Sequence, residues 1–319
     1  MSKKVLCVLP VEQRHKEKLE RAGTDCEFTY VPAKDVTDAQ IADSEIIIGN
    51  IPAERVHASE KLELLQLSTA GAGTFIAEGV LSKKTMLTNS TGAYSQAVAE
   101  HAFASCLMLQ KKLHLYRSAQ EKHSWTDFGT VTSMSDAVVL VVGLGDIGCY
   151  FASLCKALGA YTIGVKRRKS AKPDCVDELY MMDSLRDVLP RADVIFSILP
   201  GTKDTYHVYT DELFDLMKSS AIFINCGRGA AVDGDVLYRA LSEGKIASAA
   251  IDVTDPEPLP ADSRLWDLDN LLITPHISGY YHLPRTFERI IDIAADNLDR
   301  YTSGRELRNI VDLSTGYKK

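Results

Sequence analysis

Apolar residues along the chain follow two alternating periods. Short runs at Lys4–Leu9, Cys26–Tyr30, Glu45–Gly49 and Leu64–Ser68 read as strands, and Thr85–Thr88 as one more short strand. The segments between them, such as Val11–Ala22, are more polar and compatible with helix. The rhythm restarts later, with strands predicted at Val138–Val142, Tyr161–Val165, Asp193–Leu199, Ala221–Asn225, Ile246–Ile251 and Leu271–Thr274. Helices are predicted at Thr210–Met217 and Val232–Glu243, and a last one at Pro284–Tyr301, with Pro in its first turn and Gly304 just beyond its end. Strands alternating with helices imply parallel sheets.

Between the two runs, Gln96–Ala119 predicts one long helix. Val98, His101, Ala102, Cys106, Leu109 and Leu113 share a face, while Ala104, Leu107 and Met108 keep other faces apolar. A helix apolar nearly all round is a buried one. Glu121–Ser135 is polar and turn-rich, with Trp125 isolated in it.

The length of 319 residues suggests two domains. A net charge of −7, with no basic arm, argues against nucleic acid or an anionic membrane as partner. No apolar run is long enough to span a bilayer. The N-terminus, M-S-K-K-V-L-C-V-L-P, enters a strand at once, so no signal peptide is expected. The seven cysteines lack C-x-x-C pairs and do not cluster with histidines, which predicts reduced thiols in the cytoplasm, no disulfide framework and no metal site.

One stretch has more specific chemistry. Val138–Val142 stops at Gly143, Gly145 and Gly148, spaced G-x-G-x-x-G, and Ile147, Phe151, Leu154, Cys155 and Leu158 then recur at helical spacing until Gly159. Strand, glycine turn and helix in that order read as a dinucleotide-binding unit. Gly143 allows the tight turn, Gly145 lets backbone approach a pyrophosphate, and Gly148 lets helix and strand pack closely. The helix N-terminus offers N–H groups and a positive dipole end to phosphates. An NAD site would place an acid about 20 residues further on. No acidic residue lies between Asp146 and Asp174; the next strand runs instead into Lys166-Arg167-Arg168-Lys169. Guanidinium groups there would grip a 2′-phosphate, so NADP(H) is expected over NAD(H).

Three further side chains follow predicted strand ends. Arg228 follows Ala221–Asn225 through Cys226 and Gly227; Asp252 and then Glu257, within D-P-E-P-L-P, follow Ile246–Ile251; His276 follows Leu271–Thr274. Ligands of an open parallel sheet sit beyond the carboxyl ends of its strands. Each residue alone has a plain structural reading, as an ion-pair arginine, a turn cap or a structural histidine. On one rim they suit reduction of a 2-oxo acid. Histidine is a natural proton donor near neutral pH, and a carboxylate beside such a ring favours the imidazolium. Arginine can bind the substrate carboxylate and polarise its carbonyl.

With these residues in hand, the sequence resembles the D-isomer-specific 2-hydroxyacid dehydrogenases. V-G-L-G-D-I-G, N-C-G-R-G-A-A-V-D, A-I-D-V-T-D-P-E-P-L-P and T-P-H-I-S-G occur in that order, and the Ser68–Phe75 loop also matches. These elements and the closing V-D-L-S-T-G-Y look most like the glyoxylate/hydroxypyruvate reductase branch. The resemblance implies that Arg228 binds substrate, His276 is the acid/base and Glu257 its partner. It implies cofactor contacts from Gly143, Gly145, Asp146, Ile147, Gly148, Pro200, Thr205, Cys226, Gly227, Arg228, Asp252, His276, Ser278 and Gly279. Backbone N–H groups of Ala72 and Gly73 would hold the substrate carboxylate. It also implies a homodimer formed through the nucleotide domain, with Gln96–Ala119 near the interface and Trp125 matching a loop tryptophan that in some members reaches the partner's pocket. Three features depart from the family pattern. Ser135-Asp136-Ala137 replaces a frequent Gly-Lys, Phe75 stands where many members carry Asp, and the Lys/Arg run replaces the acid of NAD-using members.

The expectation is therefore an α/β fold of two domains. A doubly wound Rossmann nucleotide domain, 94–282, is inserted into a smaller flavodoxin-like substrate domain, 1–93 with 283–319. Tyr94, Trp125, Tyr280, Tyr281 and His282 are candidates for shaping the substrate side-chain pocket. The expected activity is NADPH-dependent reduction of a small 2-oxo acid such as glyoxylate or hydroxypyruvate. The rival readings are a nucleotide-sensing corepressor-like protein and a dehydrogenase of formate or phosphite on the same fold.

Overall fold

The structure is a computed structural model that describes residues 2–313; the end of V-D-L-S-T-G-Y, residues 314–317, lies outside them. The chain forms two compact units, one from the residues up to Tyr94 together with those from Leu283 onward, the other from Ser95–His282. In chain order the first unit contains β1 (Lys3–Cys7), α1 (Gln13–Ala22), β2 (Cys26–Tyr30), α2 (Asp38–Asp43), β3 (Ile46–Ile48), β4 (Leu64–Gln66) and β5 (Met86–Thr88). The second contains α3 (Ser95–Gln110), α4 (Leu113–Glu121), β6 (Val138–Val142), α5 (Asp146–Ala157), β7 (Tyr161–Lys166), β8 (Glu178–Met181), α6 (Leu185–Val188), β9 (Val194–Ser197), α7 (Asp211–Asp215), β10 (Ile222–Asn225), α8 (Gly234–Ser242), β11 (Ser248–Ile251) and β12 (Leu271–Ile273). The last helix, α9 (Pro284–Thr302), belongs to the first unit.

The first unit is built on a five-stranded parallel sheet in the order β2-β1-β3-β4-β5. Alternation along its strands sends side chains to two cores. Val5, Cys7, Ile46, Ile48 and Leu64 pack with Leu19 of α1 and with Ile290, Ile291, Ala294 and Leu298 of α9. Leu6, Val8, Ile47, Leu65 and Leu87 pack on the other side with Val36, Ile41, Val56 and Phe75.

The second unit is a seven-stranded parallel sheet in the order β12-β11-β10-β9-β6-β7-β8. The order reverses between β6 and β9, which is the crevice where open α/β sheets bind ligands. The continuous apolar run of β6 follows from burial on both faces: Val139, Leu140, Val141 and Val142 are fully buried.

Three expectations needed correction. The single helix over 96–119 is two helices, α3 and α4, broken where Lys112 adopts φ +54°. The Lys112 ammonium there donates to the carbonyl of Phe128, 2.5 Å away, holding the loop that follows α4. The edge strand β8 was not expected at all: its apolar run, Leu179–Met182, is short and lies between acidic residues, and every residue of the strand is only half-buried. Several strands are also shorter than their apolar runs; Ile246 is buried yet precedes β11. No helix among the described residues is long and apolar enough to cross a membrane.

Candidate active site

All strands of the second unit run in parallel, so the loops after β6, β7, β9, β10, β11 and β12 emerge at one edge. Its geometry begins at the glycine turn. Gly143 has φ +104°, and a Cβ on it would lie 2.7 Å from the Ile198 carbonyl oxygen. A Cβ on Gly148 would lie 2.4 Å from the Gly143 carbonyl oxygen, so helix and turn can meet only over a bare backbone. A Cβ on Gly145 would meet nothing within 4 Å. That open backbone sits at the N-cap of α5, beside first-turn N–H groups of Asp146, Ile147 and Gly148 that have no carbonyl one turn earlier in the helix. Space plus unpaired donors plus a positive dipole end fit a pyrophosphate. The Asp146 carboxylate accepts a hydrogen bond from the Ser95 hydroxyl at the start of α3.

The basic run is tied to this turn. The N–H groups of Gly143 and Leu144 both donate to the Val165 carbonyl, at 2.9 and 3.1 Å. Lys166 is the next residue, and its ammonium donates to Ser170 at 2.9 Å. Arg167, Arg168 and Lys169 follow on the exposed surface. After β9, the Thr205 hydroxyl is engaged within its own loop: it donates to the Pro200 carbonyl at 2.5 Å and accepts from the Thr202 N–H at 3.0 Å.

Arg228 stands on the loop after β10. Cys226 and Gly227 before it are buried, and burial pushes the Cys226 thiol well above its ordinary pKa. The Arg228 side chain is exposed; its guanidinium donates back to the Gly227 carbonyl at 2.7 Å, and its own carbonyl accepts from Asn225 at 3.1 Å. The next residue is where two loops meet. A Cβ on Gly229 would fall 1.9 Å from the carbonyl oxygen of Thr254, the third residue after β11. The Thr254 N–H in turn donates to Glu257 Oε1 at 3.1 Å. The other oxygen, Oε2, is 2.8 Å from His276 Nδ1 on the loop after β12. Arg228, Glu257 and His276 are thus linked by one backbone contact and two hydrogen bonds. The His276 and Glu257 side chains are 44% and 39% exposed, open to a small ligand.

Asp252 is almost fully buried, and both its oxygens are engaged with the His276 loop. Oδ1 accepts from the Thr274 hydroxyl at 2.6 Å and the Ile277 N–H at 2.9 Å, and Oδ2 accepts from the Ser278 N–H at 3.0 Å. Beyond Ser278 and Gly279, Tyr280 is largely exposed at φ +43°, its ring edge-on to His276 with centroids 6.3 Å apart and to His282 at 5.8 Å.

Within the first unit, the loop after β4 holds Ala72, which is buried, and Gly73, with φ +47° and open space where a Cβ would stand. Two residues that sequence reasoning missed brace this loop. Asn50 accepts from both the N–H and the hydroxyl of Ser68, at 2.9 and 3.0 Å, and Asn89 donates to the Ala70 carbonyl at 2.7 Å. Their signal was position, since Asn89 follows directly on β5 and Asn50 is the second residue after β3. Phe75 is buried in the core of its unit. Gly229 and Thr254 were missed as well; the second glycine of G-R-G was the available sign.

Known proteins share the sequence pattern and the fold of this chain. The family model for the NAD-binding domain of D-isomer specific 2-hydroxyacid dehydrogenases matches residues 103–278. The chain is 29% identical over 287 residues to a glyoxylate/hydroxypyruvate reductase B of Escherichia coli, covering 86% of each chain. A solved D-isomer specific 2-hydroxyacid dehydrogenase family protein from Aeromonas salmonicida superposes with a TM-score of 0.86 at 29% identity, over 98% of this chain and 100% of that one. A D-isomer specific 2-hydroxyacid dehydrogenase from Xanthobacter autotrophicus, solved with NADPH and MES, gives 0.84 at 26% identity, over 99% and 100%. The chain belongs to the D-isomer-specific 2-hydroxyacid dehydrogenase family, and is an NAD(P)-dependent oxidoreductase acting on CH–OH groups with a Rossmann nucleotide domain.

Proposed function

We propose that the protein reduces a small 2-oxo acid, of the size of glyoxylate or hydroxypyruvate, with NADPH, and oxidises the D-2-hydroxy acid in reverse. The observation that carries this reading is the His276–Glu257 pair at 2.8 Å on the rim beside Arg228. Glu257 accepts from Nδ1, which holds a proton on that nitrogen and leaves Nε2, without a partner among the described residues, as the site of the mobile proton. Bound NADPH would supply the hydride to the carbonyl carbon. His276 gives its Nε2 proton to the carbonyl oxygen, and the Arg228 fork holds the carboxylate and polarises the carbonyl. The backbone N–H groups of Ala72 and Gly73 are the proposed anion-binding element of the first unit.

Arg228→Ala is expected to raise the KM for the 2-oxo acid and also to lower kcat. Loss of a charge-assisted contact worth about 1.5–3 kcal/mol corresponds to roughly 10- to 150-fold in kcat/KM. Steady-state kinetics at saturating NADPH check this, and an unchanged KM would contradict the anchoring role.

NADPH is favoured over NADH because the basic run starts one residue beyond the carbonyl that holds the glycine turn. The double variant Arg167→Ala/Arg168→Ala is expected to lower kcat/KM for NADPH by at least about tenfold, and that for NADH by less than about twofold. Equal losses with both cofactors would sink the assignment. Oligomerisation follows the same reading: the fully exposed Trp125, with exposed Leu113 and Val131, is the proposed surface covered by a second copy.

A further inference from the structure

We propose that His101 is a positioning residue for His276, acting through Thr274 and Asp252; this rests on the assignment of His276 as the proton donor. His276 has φ +53°, a backbone state that side-chain-bearing residues adopt uncommonly and that neighbouring contacts must hold. Upstream, the Thr274 N–H ends the sheet ladder on the Ile251 carbonyl at 2.9 Å, and the His276 N–H turns back to the Thr274 carbonyl at 3.0 Å. Downstream, the next two N–H groups, of Ile277 and Ser278, both end on Asp252. The direction of the imidazole thus depends on where one buried carboxylate is aimed.

The Thr274 hydroxyl fixes that aim by donating to Asp252 Oδ1 at 2.6 Å. A hydroxyl has a single proton, so its lone pairs face any further partner. That partner is His101 Nε2 on α3, 3.1 Å away, while Asp252 itself lies 3.9 Å from the same nitrogen. His101 must therefore carry a proton on Nε2 and donate it to Thr274. Helix α3 packs against β10 and β11, so the donor is anchored to the strand that Asp252 follows. Four links run from a helix to the backbone on either side of His276: His101 to Thr274, Thr274 to Asp252, and Asp252 to Ile277 and Ser278. Neither His101 nor Thr274 is placed at the reacting atoms. Their effect is on geometry, where small misplacements cost rate more than binding.

The test uses Thr274→Val, His101→Ala and His101→Gln in the full chain, with two readouts. The first is amide hydrogen exchange of the peptide spanning Ile277 and Ser278, measured without substrate. The second is steady-state reduction of the 2-oxo acid with NADPH. Thr274→Val and His101→Ala are expected to speed exchange at that peptide by about tenfold. They should also lower kcat by about tenfold, with NADPH Kd and 2-oxo acid KM within about twofold of wild type. The glutamine amide can donate where Nε2 does, so His101→Gln should recover most of both losses. Wild-type exchange in Thr274→Val and His101→Ala would overturn the proposal, as would a Gln variant no better than Ala, which would assign the loss to packing. Faster exchange in variants of a protein that reduces no 2-oxo acid would leave the tether standing and refute the proposed function instead.

Discussion

Replacing His276 with alanine is expected to cut kcat by about 10²–10⁴-fold while NADPH Kd stays within about threefold of wild type. The imidazole is a proton-carrying group on this rim, oriented by a carboxylate 2.8 Å from its other nitrogen. It is also 44% exposed, so its removal opens no core cavity, and the change in stability should stay within about 0.5 kcal/mol. The variant separates chemistry from folding, because the glycine turn proposed to bind the dinucleotide lies on another loop. Cofactor titration by fluorescence and steady-state kinetics on the same sample check both halves. An unchanged kcat would remove His276 from the mechanism.

Gly229→Ala is expected to be as damaging by another route. The added Cβ would lie 1.9 Å from the Thr254 carbonyl oxygen and 2.0 Å from its carbon, both backbone atoms that cannot rotate away. The loops after β10 and β11 must separate, and Thr254 takes with it the N–H that anchors Glu257. Overpacking costs about 1–3 kcal/mol where side chains can yield, and a backbone clash belongs at or above the upper figure. For a unit of this size about 3 kcal/mol is roughly 6–12 °C in Tm. The folded fraction should lose at least about 100-fold in kcat/KM, since Arg228 and Glu257 shift together. Thermal denaturation and kinetics check this; a wild-type Tm would show that the two loops do not need their close approach.

Much of this site was legible in the sequence because parallel sheets are simple to read. A strand buried on both faces, such as Val138–Val142, leaves an unbroken apolar run, and the residue after such a run falls on a known edge. That logic placed Arg228, Glu257 and His276 on one rim, and the structure puts Glu257 and His276 in contact. What stayed hidden depends on the third dimension. Nothing in the sequence marks Lys112 for φ +54°, since lysine is not a residue that prefers it. The half-buried β8 carries only a short apolar run, Leu179–Met182, between acidic residues. The two oxygens of Asp252 collect donors from Thr274, Ile277 and Ser278, 22 to 26 residues further on. Such convergence has no local signature.

The most direct measurement is a panel in which wild-type protein and NADPH are mixed with glyoxylate, hydroxypyruvate, pyruvate and larger 2-oxo acids, following loss of reduced-nicotinamide absorbance. In parallel, NADP⁺ is mixed with formate and with phosphite. The expected result is rapid NADPH consumption with one or more small 2-oxo acids, slower consumption with NADH, and no reduction of NADP⁺ by formate or phosphite. NADPH left unconsumed by every 2-oxo acid, or a clear preference for formate or phosphite, would contradict the reading of Arg228, Glu257 and His276 as a 2-oxo acid reductase site.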